Sequence, residues 1–339
     1  MKINKPILLI LSIIWFGCDD KSNNQNCSNL LENDKLVLCE GSFNNNNASL
    51  WSIFPETQNS ETIHYEELGD VAQSMVKFED KLYVILNNSH KIEIYDLDSK
   101  LCYNSTLVLE NSSPRYFVAN GSMGYVSSWN LEAILVFDLN TLEITDTIQA
   151  PGIPENLLIN NNVLYASVPS ASGWSADTNL VVSINLSNNE IITEYNVING
   201  PHDLKIYENH LYVTGSIFTA YPVKSTGISK INLVTEEIVT QIDGENTNIK
   251  KGLSLIGENL FRTTSEGLTP VLEDLTLDFN NTILGGTNIS FASVDDNFIY
   301  FTETDYSAPD TMKVTTHNGD FINEFILGIA PKKIISLTN

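Results

Sequence analysis

Apolar and polar positions alternate along most of this chain in short runs of period two, broken every few residues by Asn, Gly, Asp and Ser. Runs at 116–119, 124–127, 133–138 and 143–148 are typical, and no stretch of helical period competes with them. The runs themselves recur. A Leu-Tyr-Val type triplet appears as Leu82-Tyr83-Val84, Gly124-Tyr125-Val126, Leu164-Tyr165-Ala166, Leu211-Tyr212-Val213, Leu260-Phe261-Arg262 and Ile299-Tyr300-Phe301, with aromatic positions 42, 40, 47, 49 and 39 residues apart. A second marker keeps the same rhythm at Tyr95-Asp96-Leu97, Phe137-Asp138-Leu139, Ile184-Asn185-Leu186 and Ile231-Asn232-Leu233. Four short strands in roughly 40 to 45 residues describe one propeller blade. The 305 residues from Lys35 to Asn339 hold seven such periods, so the pattern predicts an all-β, seven-bladed β-propeller.

The ends of the chain predict how the ring closes. Residues 37–57 read as outer strands with no inner strand before them, and 331–337 read as an inner strand with nothing after it. Joined, they complete one blade from both ends of the chain and remove an open sheet edge.

The chain carries 42 acidic and 18 basic residues, a net charge of -24, which repels a nucleic-acid backbone and an anionic membrane surface. Anchoring by lipid is not excluded by charge. Lys2 and Lys5 precede an apolar run of about ten residues, too short for a bilayer of ~30 Å and suited to a secretory signal. The run stops at Gly17-Cys18, which resembles a bacterial lipobox. That resemblance implies a signal peptide over 1–17, lipidation at Cys18, a polar tether over 18–34 and the propeller over 35–339. Asp19-Asp20 after the cysteine resembles the surface-export signal of Bacteroidota lipoproteins and implies an outer-membrane, surface-exposed protein. Cys27, Cys39 and Cys102 remain, allowing one bridge and one free thiol whose identities the sequence leaves open.

The loops leading into the inner strands gather cations. Arg115, His202, Lys250, Lys251, Lys332 and Lys333 fall there in a chain with few basic residues. They suit recognition of a phosphodiester or carboxylate, or else they pair with Asp70, Glu155 and Asp203 and hold the blades in register. The loops between second and third strands carry Asn87, Asn88, Trp129, Trp174, Phe218, Tyr221 and Tyr306. Large aromatics in polar loops suit stacking on a ligand or anchoring of a partner. The five histidines never fall at metal-ligand spacing and no nucleophile-elbow or phosphate-loop motif occurs, so no cofactor and no catalysis are expected.

The Tyr-Val repeats and Asp138-Leu139-Asn140-Thr141-Leu142-Glu143-Ile144 resemble the YVTN or YncE-like propellers. Residues 69–75, which include Gln73, with 87–93 and 113–117, resemble a branch of Bacteroidota surface lipoproteins that includes proteins capturing cobalamin for a TonB-dependent transporter. The resemblance implies a corrinoid ligand. Its ring would stack near Trp129, Trp174 and Tyr221, its amides would meet Asn87 and Asn88, and its phosphodiester would lie near Arg115 or Lys251. Gln73, His202, Phe218 and Tyr306 complete the candidate site. The rival readings are an accessory lipoprotein docking on another nutrient transporter, and a propeller lyase or lactonase with His202 as general base.

Overall fold

The computed structural model describes residues 27–29, 35–57, 68–97, 100–173, 177–220, 223–245 and 249–337. The expectations for the signal peptide, Cys18, Trp174 and Tyr221 lie outside the described residues, and for Phe218 only the backbone is described.

The period-two runs form seven antiparallel sheets, numbered here as blades in chain order. Blade 1 runs outward from Ala72–Phe78 through Lys81–Leu86 and Lys91–Leu97 to Lys100–Val108, and blade 2 spans Pro114–Asn120 to Ile144–Gln149. Blade 3 runs from Leu157–Asn160 to Glu190–Asn196, blade 4 from Pro201–Tyr207 to Ile238–Glu245, and blade 6 from Phe291–Val294 to Phe321–Ile326. Blade 5 departs from the expected four strands. It keeps Ile249–Ile256, Asn259–Thr264 and Gly267–Pro270. Turns, a short 3-10 helix at Phe279–Asn281 and isolated bridges replace the outer strand, and Leu275 and Ile289 plug the seams on either side.

Ring closure follows the sequence. Pro331–Ser336 pairs with Lys35–Cys39, which pairs with Ser49–Ile53, so blade 7 takes its inner strand from the C-terminus. That inner strand contacts the inner strands of both blade 6 and blade 1. The N-terminal segment adds something the repeat did not announce. Cys27–Asn29 pairs with Lys100–Cys102 as a fifth strand on blade 1, and a Cys27–Cys102 disulfide locks it there, leaving Cys39 as a buried free thiol.

The core is divided among the seams between neighbouring blades. One cluster joins Tyr83, Ile92 and Ile94 of blade 1 to Phe117, Val126 and Phe137 of blade 2, with Tyr83 and Phe117 ring centres 4.7 Å apart. This explains why the blade 2 triplet begins with Gly124. A Cβ there would sit 2.6 Å from the Phe137 ring and 2.8 Å from Phe117. The second marker is a turn device. Asp138, Asn185 and Asn232 each accept main-chain N–H bonds from two or three residues ahead, closing the outer hairpins.

Candidate functional site

Cross-strand register places the candidate residues on a single repeat position. The pairs Met75–Val84, Phe117–Val126, Leu157–Ala166, Leu204–Val213, Leu253–Arg262, Ala292–Phe301 and Ile334–Val37 are equivalent in the seven blades. Two residues upstream of the inner-strand member stand Gln73, Arg115, Glu155, His202, Lys251, Ser290 and Lys332. By the pseudo-symmetry of the ring these seven encircle one end of the central channel. Proline precedes four of them, at Pro114, Pro154, Pro201 and Pro331, where its fixed φ and missing N–H suit the start of an inner edge strand.

The position is held by latches between blades. Two residues past each aromatic marker, Ser127 donates to the Glu155 carbonyl at 2.6 Å, Ser167 to the His202 carbonyl at 3.0 Å, and Thr214 to the Lys251 carbonyl. Blade 1 has Ile85 at that place, and Ser74 on its inner strand donates to the Arg115 carbonyl instead, at 2.7 Å. Each hydroxyl fixes the main chain of a ring residue on the next blade.

Glu155 is the hub. Its side chain is 0% exposed, and its carboxylate accepts three hydrogen bonds and faces a histidine. Oε1 receives Arg115 Nη2 at 2.7 Å and faces His202 Nε2 at 3.2 Å; Oε2 receives Arg115 Nε at 2.9 Å and Trp129 Nε1 at 2.6 Å. Arg115 also donates from Nη1 to Gln73 Oε1 at 2.6 Å and lies 3.9 Å over the Trp129 ring, while Gln73 Oε1 receives Lys332 at 2.9 Å. Lys332 completes an ion pair with Glu40 at 2.9 Å. Burial pushes the Glu155 carboxyl upward, but the Arg115 guanidinium and His202 outweigh it and hold the group well below the usual carboxylate range. His202 moves down, first through burial and then through the charge of Lys251. A neutral imidazole with its proton on Nε2 fits the carboxylate it faces.

One step down the bore, Asp203 accepts Asn156 Nδ2 and the Leu204 N–H at Oδ1 and the Leu253 N–H at Oδ2. Burial raises its carboxyl. Lys333 keeps much of its surface open to the channel yet is ringed by protein, and that enclosure lowers its ammonium although Asp203 acts the other way. Lys251 is lowered by burial too, and its ammonium makes no ion pair or hydrogen bond with a described side chain. With His202 neutral, the ring of Gln73, Arg115, Glu155, His202, Lys251, Ser290 and Lys332 carries two net positive charges in a protein of net charge -24.

Four of the expected site residues, Gln73, Arg115, Trp129 and His202, are brought together, and Lys251 joins them on the ring. Trp129 differs from its expected role. Its indole N–H and one ring face are engaged by Glu155 and Arg115, so it supports the hub as well as facing the loops. The amides of Asn87 and Asn88 also turn inward, Asn87 Nδ2 donating to the Pro114 carbonyl at 3.1 Å and Asn88 Nδ2 to Asp70 and Asn44. Phe218 sits in a strand opposite Lys224 rather than in a loop, because the blade 4 hairpin continues to Ala220. Tyr306 is 57% exposed on the blade 6 loop that helps wall a polar cavity of about 340 Å³ between Phe301, Glu303, Asp310, Lys313 and Glu324. Among the described residues no cation pairs with Asp70, whereas Arg115 pairs with Glu155. The loop-by-loop reading named Lys332 as a loop cation and Glu155 as a pairing partner without placing either in the ligand site, and it did not name Ser290; the Pro-X register was the signal for Glu155 and Lys332.

No family model matches this chain, and no curated protein matches it. Solved structures do. A Bacteroides fragilis protein provisionally named a 6-phosphogluconolactonase is 14% identical with a TM-score of 0.63, covering 90% of this chain and 98% of its own. Apo AztD from Citrobacter koseri is 11% identical at TM-score 0.58, covering 91% and 98%. A catalytically inactive virginiamycin B lyase from Staphylococcus aureus, solved with quinupristin, is 15% identical at TM-score 0.55, covering 81% and 94%. These likenesses establish the propeller fold. At such identities the chemistry of each neighbour stays with that neighbour.

Proposed function

We propose that this protein is a non-catalytic capture module that binds an anionic small molecule at the channel mouth. The observation that carries the reading is a Glu155 carboxylate committed to its neighbours beside a cation that no described side chain pairs. The Glu155 carboxylate accepts three hydrogen bonds and faces His202, so it is committed to its neighbours, while Lys251 stands on the same ring and no described side chain pairs with its ammonium. Arg115 and Trp129 hold fixed positions through Glu155, so the mouth presents a preorganised cationic rim.

The finer form of the proposal takes the ligand as a corrinoid, its phosphodiester on Lys251, presented by a surface lipoprotein anchored through Cys18 to a TonB-dependent outer-membrane transporter. The sequence resemblance to the cobalamin-capturing branch supports that choice, and the electropositive rim is compatible with it. The lyase or lactonase reading has one observation in its favour. His202 is oriented by a buried carboxylate through Nε2, which leaves Nδ1 as an acceptor.

Calorimetric titration of the purified protein with cyanocobalamin tests the proposal. A hydrogen-bonded charge contributes about 1.5 to 3 kcal/mol, so Lys251→Met should weaken binding by roughly ten- to a hundredfold, while His202→Ala should cost only a few-fold. Absence of heat at micromolar concentrations removes the corrinoid. Binding that Lys251→Met leaves intact moves the ligand off the ring. Conversion of the ligand that stops in His202→Ala establishes an enzyme.

A further inference from the structure

The top of the joint between blades 7 and 1 contains a carboxylate that lies outside the channel ring. Asp70 is 4% exposed, and its Oδ1 is sealed from solvent without a hydrogen-bond partner. Its Oδ2 accepts the Asn44 N–H at 2.9 Å and the Asn88 side-chain amide, and its own N–H donates to Ser89 Oγ at 2.8 Å. Among the described residues no Lys, Arg or His forms an ion pair with it. A buried carboxylate is normally paired or bound to a metal, because an uncompensated buried charge is strongly unfavourable. In a chain of net charge -24 the disparity is sharper still.

The Asn44 main chain and the Asn88 amide give N–H bonds to Asp70 Oδ2, and Asn44 Oδ1 and Ser89 Oγ bring neutral oxygens beside them. Asn44 comes from the blade 7 hairpin loop, and Asn88 from the loop between the second and third strands of blade 1. The Asn88 amide lies within hydrogen-bond reach of both Asp70 Oδ2 and Asn44 Oδ1, the latter at 3.2 Å. Which end of that amide points inward is set by what it faces, and turning it over presents Oδ1 to the same place. No group of three or more His, Cys, Asp or Glu among the described residues is placed to hold a metal, so a site here draws on one carboxylate with amide and other neutral oxygens. That donor set, with no thiolate or imidazole, selects a hard cation with flexible coordination.

We propose that Asp70, with Asn44 and Asn88, holds a calcium ion that pins the blade 7 hairpin loop to the start of the blade 1 inner strand. The ion compensates the orphaned Oδ1 and ties blade 7, in which the ring closes, to blade 1. It also fixes the main chain three residues before Gln73, the ring residue shared by Arg115 and Lys332. With one carboxylate, the affinity belongs to the weak extracellular class, of order 10⁻⁴ to 10⁻³ M. The proposal is independent of what the channel mouth binds.

Thermal unfolding of the full mature chain, first stripped with EDTA, tests it in the presence of CaCl2, MgCl2 or NaCl at matched ionic strength. Calcium at 10 mM should raise Tm by roughly 3 to 6 °C, and the other salts by much less. Asp70→Asn removes the uncompensated charge while keeping an acceptor, so it should fold, melt at or above the calcium-free wild type and lose the calcium response. Sensitised terbium luminescence, displaced by calcium in wild type and absent in Asp70→Asn, gives a second readout. An equal rise with all three salts is screening of the net charge and overturns the proposal. So does a calcium response that survives intact in Asp70→Asn.

Discussion

Replacing Glu155 by Gln tests whether the ring is organised as described. The amide is nearly isosteric, but it offers one acceptor oxygen and brings two N–H donors into a place where Arg115 Nε, Arg115 Nη2, His202 Nε2 and Trp129 Nε1 already point their hydrogens. At least one edge of the hub becomes donor against donor, and the Arg115 guanidinium, only 12% exposed, loses its counter-charge. Removing one partner of a buried pair costs about 3 to 5 kcal/mol because the survivor is left uncompensated. For a chain of this size that corresponds to a fall in Tm of roughly 6 to 10 °C, read by circular dichroism or calorimetry and checked against urea midpoints at constant m. The companion variant Arg115→Met with Glu155→Leu removes both charges. Replacing a buried pair by apolar groups is often neutral, so the double variant should regain much of the loss, giving a coupling of about 1 to 3 kcal/mol in a double-mutant cycle. Glu155→Gln melting with the wild type would refute the hub. Strictly additive losses would show that Arg115 and Glu155 are held separately by their own blades.

Two further outcomes follow from features outside the ring. The Cys27–Cys102 bridge closes a loop across a sequence separation of 75, for which the chain-entropy limit is about 4.5 kcal/mol. Cys27→Ser with Cys102→Ser should therefore lower the unfolding free energy, read as the urea midpoint shift multiplied by m, by an amount approaching that figure, and an unchanged midpoint would mean that Cys27–Asn29 lies outside the cooperative unit. Stability should also fall on acidification in two stages, measured as urea midpoints across pH. His202 and Glu155 both titrate lower in the folded protein than in the unfolded chain, so the unfolded chain binds more protons and stability declines as pH falls, through His202 below about 6.5 and through Glu155 below about 4.3. Asp203, raised by burial, acts in the opposite sense and blunts the lower stage. His202→Gln should remove the upper stage alone, and a midpoint flat between pH 7.5 and 5.5 in wild type would contradict the downward shift of His202.

The blades could be read from sequence because each strand announces itself locally. Period-two alternation, an aromatic that fills a seam and an Asp or Asn that closes a turn are properties of a few neighbouring residues, and repetition multiplied them. The missing outer strand of blade 5 was not legible in this way, because Leu275-Thr276-Leu277-Asp278-Phe279 alternates like a strand yet forms turns and a 3-10 helix. The ring was harder because its members are brought together only by closure. Arg115 and Glu155 are 40 residues apart, and no spacing rule links them until the blades are superposed on their markers. Once they are, the same arithmetic that counts blades assigns the site: Pro-X at the head of four inner strands, and a Ser or Thr two past the aromatic of the preceding blade holding the ring carbonyl in three. The aromatic loops gave a weaker signal, since a large side chain in a polar loop serves a ligand or a neighbour equally well. Trp129 shows the second use. Its N–H and ring are committed to Glu155 and Arg115, which means Trp129→Ala would loosen the hub and weaken ligand binding together. Lys251→Met separates the two effects, because Lys251 is on the ring but outside the bonded hub. It therefore reports on the ligand where Trp129 cannot.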